Sequence, residues 1–341
     1  MKRIVGYLLK CIVAFVIAFV ILSLFSLIYY NPPLATEQPD FITNHKFETN
    51  TGWTFMLEGA GFGVIDNIGY NNAYYKDCSS PDVVVVGSSH TEALQVPQNA
   101  NFVHLMNQKF AEDDLPDNDF ECLNIGVSGH SFEVSVSNFE HIVNKYKDAK
   151  YIIIETYNNK FSPSKLDKMA EGKYHSPLKQ RGLVYRTAQK VPYFRLLYKK
   201  VQEAATAKSD ENEANLISDN NYDINTYTQK LDAVLNKIST LADANGIKTI
   251  ILLHEGFALD EEGNILEKDT VLYKNIFKDC CEKNGITAVD VLPAMIDNYK
   301  KTFEFSYGFS NTVPGKGHLN KTGHRIIAQE LYEQINKMEV R

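Results

Sequence analysis

Cysteine is scarce in this chain: five residues in 341, at positions 11, 78, 122, 280 and 281. No two of them form a C-x-x-C pair, so neither a zinc site nor a disulfide framework is suggested, and a stable domain has to be held by its core. Excess positive charge is lacking too. With a net charge of -7 and a pI of about 5.8, the chain as a whole carries no electrostatic footprint for nucleic acid. Internal repeats are missing, and the composition is not that of a disordered segment, because an apolar fraction of 44% suffices to bury a full core. Long apolar runs are also few.

One such run stands out: Cys11 to Tyr30 contains no charged residue and only serine as polar relief. That length crosses a bilayer as a helix. Lys2 and Arg3 precede the run and Lys10 lies at its edge, a bias that keeps the amino end in the cytoplasm. A cleaved signal peptide has a shorter apolar segment and a small-residue cleavage site, whereas this run leads into Tyr29-Tyr30-Asn31-Pro32-Pro33. The sequence predicts a cytoplasmic stretch 1–10, a transmembrane anchor 11–30 in contact with membrane lipid, a proline-bearing tether 31–50, and a single extracellular domain 51–341.

The domain reads as alternating strands and helices. Pro81 to Leu94 is PDVVVVGSSHTEAL, in which four valines bounded by Pro81 and Gly87 predict a strand buried on both faces. It ends at Gly87-Ser88-Ser89-His90-Thr91, where a helix begins. Unpartnered N–H groups at such a corner stabilise an anion, so Ser89 is a candidate nucleophile, a plain helix cap being the other reading. Further strands are expected at Phe120–Ile125, Tyr151–Thr156, Lys248–Leu253 and Thr287–Val291, with helices near Asn99–Phe110, Phe132–Tyr146, Asn225–Asn245, Asp269–Asn284 and Lys321–Met338. The stretch Leu57–Tyr75, punctuated by Gly59, Gly61, Gly63 and Gly69, reads as a lead-in of turns and short extended pieces. Gly129 ends the second strand's loop and Asn158 that of the third, both candidate oxyanion donors. His254 follows the fourth strand and is a candidate substrate contact, as is His90.

The α/β alternation lapses over 160–222, which reads as a helical insertion. Within it, Lys173 to Lys200 carries eight Lys or Arg residues and no carboxylate, interleaved with Tyr193, Phe194, Leu196, Leu197 and Tyr198. This run could lie against anionic lipid headgroups, hold an anionic polymer or simply be a solvated face.

A serine hydroxyl needs a base, and Pro314-Gly315-Lys316-Gly317-His318-Leu319-Asn320-Lys321-Thr322-Gly323-His324 supplies His318, with His324 as its rival. The ordered set GSSHT, NIGVSG, TYNN and GHLNKTGH resembles the SGNH (GDSL-like) hydrolase superfamily, in the manner of its membrane-anchored cell-envelope branch. The resemblance implies a three-layer α/β/α flavodoxin-like parallel sheet. It also implies catalytic Ser89 and His318, an oxyanion hole made by Ser89, Gly129 and Asn158, and no metal or organic cofactor. The acid that the family commonly places three residues before the histidine is replaced here by Gly315. Either a backbone carbonyl orients His318, or Glu155, Glu255 or Asp290 does. The implied activity is extracytoplasmic acyl hydrolysis or O-acyl transfer on an acylated glycan or cell-wall polymer, with a membrane acyl donor protein as a further partner. A catalytically weak scaffold or glycan-binding partner is the alternative. An α/β-hydrolase lipase fits less well, since Thr91 stands where the G-x-S-x-G elbow needs glycine.

Overall fold

In the computed structural model, the described residues are 2–34, 47–73, 80–112, 120–174, 189–201, 223–266 and 271–339. The acidic loop after Glu112, half of the basic run (175–188), the acidic return 208–222 and Cys78 lie outside them.

The valine run forms strand β4 (Val83–Val86), after a short strand β1 (Tyr30–Asn31) and a hairpin of β2 (Gly52–Phe55) and β3 (Gly61–Val64). Strands β5 (Cys122–Asn124), β6 (Tyr151–Thr156), β7 (Lys248–Leu253) and β10 (Thr287–Asp290) join β4 in one parallel sheet, while β8 (Ala258–Leu259) and β9 (Ile265–Leu266) make a small antiparallel pair. The parallel sheet runs β10-β7-β6-β4-β5. Counted along the chain, that is the 2-1-3-4-5 order of a flavodoxin-like sheet, and its strand order reverses beside β4. Ser89 therefore sits at the topological switch point, the place where open α/β sheets bind ligands.

The central strands have two buried faces because their side chains alternate between two cores. Val84, Val86, Ile152, Ile154, Ile251 and Leu253 face one cluster, with Tyr227, Leu231, Leu235 and Phe277 from the covering helices. Val83, Val85, Tyr151, Ile153, Ile250 and Leu252 face the other, with Phe102, Met106, Ile327 and Leu331. Helices thus cover both faces, giving the expected three layers. Each valine of β4 is at most 1% exposed, and full burial of such a side chain is worth about 1.5–3 kcal/mol.

Helices at Phe102–Glu112, Ile224–Asp243, Val271–Lys283 and Lys321–Glu339 lie close to their expected places. The helix expected over Phe132–Tyr146 is interrupted: it divides into Phe132–Ser137 and Phe139–Lys145 at Asn138, whose side chain donates to the Val134 carbonyl. A helix at Leu292–Thr302 adds to those expected. Of the insertion, Pro163–Ala170 and residues 192–201 are helical.

One expectation changes at the amino-terminal side. The apolar helix runs from Lys2 to Tyr29, and the chain beyond it does not leave the domain at once. Tyr30 and Asn31 pair with Phe55 and Thr54, the Glu48 amide donates to the Leu34 carbonyl, and Phe47 donates to Gly69. Residues 35–46 of the expected tether lie outside the described ones. The glycine-rich lead-in, read as turns and short extended pieces, supplies β3, which pairs with β2 just ahead of it to make an antiparallel hairpin. Glycine is a poor strand former, but here Gly61 packs so closely that a Cβ on it would stand 1.8 Å from the Leu94 carbonyl oxygen. Around that contact Trp53, Ile65, Leu94 and Phe47 form a small separate core.

This close approach yields a test. Gly61→Ala should lower stability by about 1–3 kcal/mol, the usual cost of overpacking. Gly52→Ala, whose Cβ would meet nothing nearer than 4.0 Å, should cost only a few tenths as judged by urea midpoints.

Candidate active site

The nucleophile turn is built at the carboxyl end of β4. Ser88 caps the short helix Ser89–Glu92, its hydroxyl accepting from the His90 amide, and the helix closes at Ala93 in the left-handed conformation. Nothing among the described residues engages the backbone N–H of Ser89 or that of Gly129. Gly129 has φ +87°, and a Cβ placed on it would meet nothing within 4 Å, so this loop faces open space.

His318 is positioned by the loop before the last helix. Tyr307 and Leu319 form a β-bridge, the Gly308 amide donates to the His318 carbonyl, and the Asn320 amide donates to the carbonyls of Phe305 and Gly308. This brings His318 Nε2 to 2.9 Å from Ser89 Oγ. The serine and the histidine singled out in the sequence, 229 positions apart, are therefore in contact.

The acid is neither of the two arrangements expected. Glu58 accepts from His318 Nδ1 at 2.6 Å through one oxygen and from the His318 amide at 2.9 Å through the other. It stands in the turn between β2 and β3, ahead of the nucleophile in the chain. A carboxylate can only accept, so Nδ1 carries the proton and Nε2 is the free base facing Ser89. Burial pushes the Glu58 carboxyl up, but the hydrogen bonds and charge of His318 outweigh it and leave the group below its ordinary value. The grip requires Gly317: its φ is +84°, and a Cβ there would stand 2.4 Å from the Glu58 carboxylate. Asn311 joins the two loops, accepting from the Gly59 amide and donating to the carbonyls of Met56 and Gly59.

The acids first considered have other work. Glu155, at the end of β6, accepts from the Ser88 amide at 2.6 Å, from the Thr91 hydroxyl at 3.3 Å and from His254 Nε2 at 2.7 Å. Burial raises its pKa, but His254, His90 and the Ser88 amide bring it down to about 2. Glu255 and Asp290 both pair with Lys274, at 3.0 and 3.3 Å. His254 is 2% exposed, and its two ring nitrogens are occupied by Glu155 and by the Tyr307 hydroxyl at 2.5 Å, so it underlies the nucleophile turn. His90 is likewise buried, its Nδ1 accepting from the Leu319 amide, with its ring against those of His318, His254 and Tyr157. His324, the rival base, is fully inside, and burial pushes its pKa down to about 3.

Asn158 follows β6 at the same edge. Its carboxamide oxygen accepts from the Lys160 amide at 3.1 Å, which leaves the NH₂ end as the donor. It lines a cleft with Tyr157, Leu253, His254, Glu255, Lys274 and Asp290. The loop bearing Gly129 is tied to the nucleophile helix by Glu92, which accepts from the Ser128 hydroxyl and whose carbonyl accepts from the Asn71 amide. Burial raises the Glu92 carboxyl to about 7. No group of His, Cys, Asp and Glu suited to a metal ion occurs among the described residues.

Sequence reasoning missed Glu58, Glu92 and the role of Glu155. The only signal for Glu58 was an acid embedded among glycines, at a place where no element was expected. Nothing in its spacing pointed to His318.

Two measurements follow from this geometry. Glu58→Gln should cut kcat on an activated ester by about 10⁴, as does turning the orienting acid of a triad into its amide. Glu255→Gln and Asp290→Asn should stay near the parent rate; equal damage in either would reassign the acid. The second concerns pH. Below its ordinary 4.5, Glu92 is protonated folded and unfolded; between 4.5 and about 7 the folded state keeps a proton that the unfolded state has lost. Stability from this group therefore falls as pH rises through that window, by on the order of 3 kcal/mol. Relative to the parent, Glu92→Gln should gain stability between pH 5 and pH 8 in denaturant titrations, and an unchanged difference would place the carboxylate's proton elsewhere.

No protein-family model matches the chain, and no curated protein matches it. Solved structures with a similar arrangement include LAE5, an alpha/beta hydrolase enzyme from the metagenome of Lake Arreo. It is 16% identical, with a TM-score of 0.43 over 75% of this chain and 94% of that one. An acetyl xylan esterase, AlAXEase, is 14% identical with a TM-score of 0.40, over 74% and 99% of the two chains. A member of the lipolytic G-D-S-L family from Veillonella parvula is 14% identical with a TM-score of 0.37, over 74% and 96%. What this site can do rests on its own atoms.

Proposed function

We propose that the chain is an SGNH-type serine enzyme that cleaves or transfers acyl esters through an acyl-Ser89 intermediate. The observation that carries this is the continuous line Ser89 Oγ, His318 Nε2, His318 Nδ1, Glu58, with contacts of 2.9 and 2.6 Å. Ser89 Oγ attacks the ester carbonyl while its proton passes to His318 Nε2. Glu58 steadies the imidazolium that forms, and the N–H groups of Ser89 and Gly129 with the Asn158 amide meet the oxyanion. His318 then returns the proton to the leaving alcohol, and a water or sugar hydroxyl, deprotonated by the same nitrogen, releases the acyl group. The scaffold reading drew its force from a missing acid. Glu58 takes that ground away.

The proposed setting is the outer face of a membrane, with acyl esters of cell-surface carbohydrate as substrates and a membrane acyl donor protein as a further partner. The helix Arg3–Tyr29 is apolar enough to span a bilayer. Its exit is bonded to the domain: the Thr54 hydroxyl donates to the Leu27 carbonyl at 2.8 Å and the Met56 amide to the Tyr29 carbonyl at 3.0 Å. A leader destined for removal has no reason to carry these bonds, which supports a retained anchor.

Full-length protein treated with a fluorophosphonate probe should be labelled at Ser89. Ser89→Ala should lose both label and ester turnover while its unfolding temperature hardly moves, since the hydroxyl lies in an open turn. Turnover persisting in that variant would sink the assignment. With the parent, acceleration of acyl-enzyme breakdown by an added glycan, with the acyl group recovered on sugar, would mark a transferase. Indifference to any glycan would mark an esterase.

A further inference from the structure

Residues 192–201 form a short helix outside the catalytic machinery, and its two sides differ. Phe194, Leu197, Tyr198 and Val201 are each at least 41% exposed. Their spacing of i, i+3, i+4 and i+7 puts them on one helical face. Arg195, on another side, is 8% exposed and donates to the Asn31 side chain and the Gln189 carbonyl, so this helix is fastened to the point where the apolar helix enters the domain.

What covers the apolar face is indicated by its neighbour. The rings of Tyr193 and Phe194 lie 6.2 and 5.9 Å from that of Phe19. Phe19 precedes Tyr29, the last residue of the apolar helix, by ten positions, which at the α-helical rise is about 15 Å. A bilayer's hydrocarbon core is about 30 Å thick. If the apolar helix spans it, a side chain touching Phe19 is at the depth of lipid tails.

We infer that residues 192–201 are a second membrane element, an amphipathic helix that lays Phe194, Leu197, Tyr198 and Val201 into the outer leaflet beside the anchor. This rests on the anchor reading given above. Its apolar face is continuous with the exposed apolar surface of the anchor, where Phe15, Val16 and Leu22 are also exposed, and in a bilayer both are covered by the same acyl chains. Lys199 and Lys200 bring positive charge to this helix, which suits an anionic leaflet. The helix is near the site as well, since the charge of Lys199 helps to hold the Glu58 carboxylate ionised. The hairpin bearing Glu58 is thus flanked by two membrane elements, the anchor's exit and this helix, and the leaflet becomes part of what fixes it.

The test uses the full chain in nanodiscs of phosphatidylcholine and phosphatidylglycerol, with p-benzoylphenylalanine introduced singly at Leu197, at Phe15 in the anchor and at Ala244. The last is an exposed turn residue ahead of β7, at the opposite end of the sheet from Ser89. After irradiation, mass spectrometry should find lipid adducts at 197 comparable to those at 15 and none at 244. Adducts at 15 without adducts at 197, or equal yields at 197 and 244, would overturn the inference while sparing the anchor. No adducts at 15 and 197 would overturn both. Ester turnover in the same nanodiscs reports on the active site separately, so failure of the catalytic reading is distinguishable.

Discussion

The site depends on a two-point grip. Glu58 holds His318 by its backbone amide and by Nδ1 at once, so the carboxylate sets the histidine's place in the loop as well as its tautomer. A charge-assisted hydrogen bond of this kind is worth about 1.5–3 kcal/mol. It forms only if two distant segments dock, because Glu58 belongs to the β2–β3 turn and His318 to the loop before the last helix. Asn311 supplies the link, binding Met56 and Gly59 on the hairpin side, and Gly317 leaves the space into which the carboxylate fits.

Three glutamates surround the nucleophile, and their environments divide the labour. Glu155 is buried but surrounded by donors, so it is ionised and braces the Ser88 amide and Thr91 from below. Glu92 is buried with few donors, so burial prevails and raises it to about 7 while it links the helix of Ser89 to the loop of Gly129. Glu58 is partly open and faces an imidazole whose hydrogen bonds and charge hold it ionised, so it orients the His318 ring. The same side chain serves as brace, tie and orienting partner of a histidine according to its solvation and its neighbours.

The small antiparallel sheet β1-β2-β3 joins this site to the apolar helix. Tyr30 and Asn31 continue that helix into a strand, β2 pairs with it, and the turn after β2 carries Glu58. The distance in sequence from the end of the apolar helix to the acid is short, and the hydrogen bonds of Thr54 and Met56 to its last turn close it further. A displacement of the apolar helix's last turn would therefore be felt at His318.

Much of this protein follows from local pattern. The four valines, the repeated strand-loop-helix spacing and the doubly apolar strands point to a parallel sheet buried on both faces, because buried parallel strands are composed this way; its three layers were what the family resemblance implied. The same pattern also places Ser89, Gly129 and Asn158 at one edge, since each follows a strand of the same sheet. Tertiary structure alone decided the rest. Which acid meets His318 depends on the docking of a hairpin whose glycines argue against strand, one of them, Gly61, being required by its close contact with Leu94. Which histidine meets the serine depends on burial and docking: His254 and His324 are at or near the same edge but are buried, and His318 is the one of the three that contacts Ser89. Residue types and spacing declare a chemistry; contact between segments far apart in the chain, and the burial that comes with it, selects the atoms that perform it.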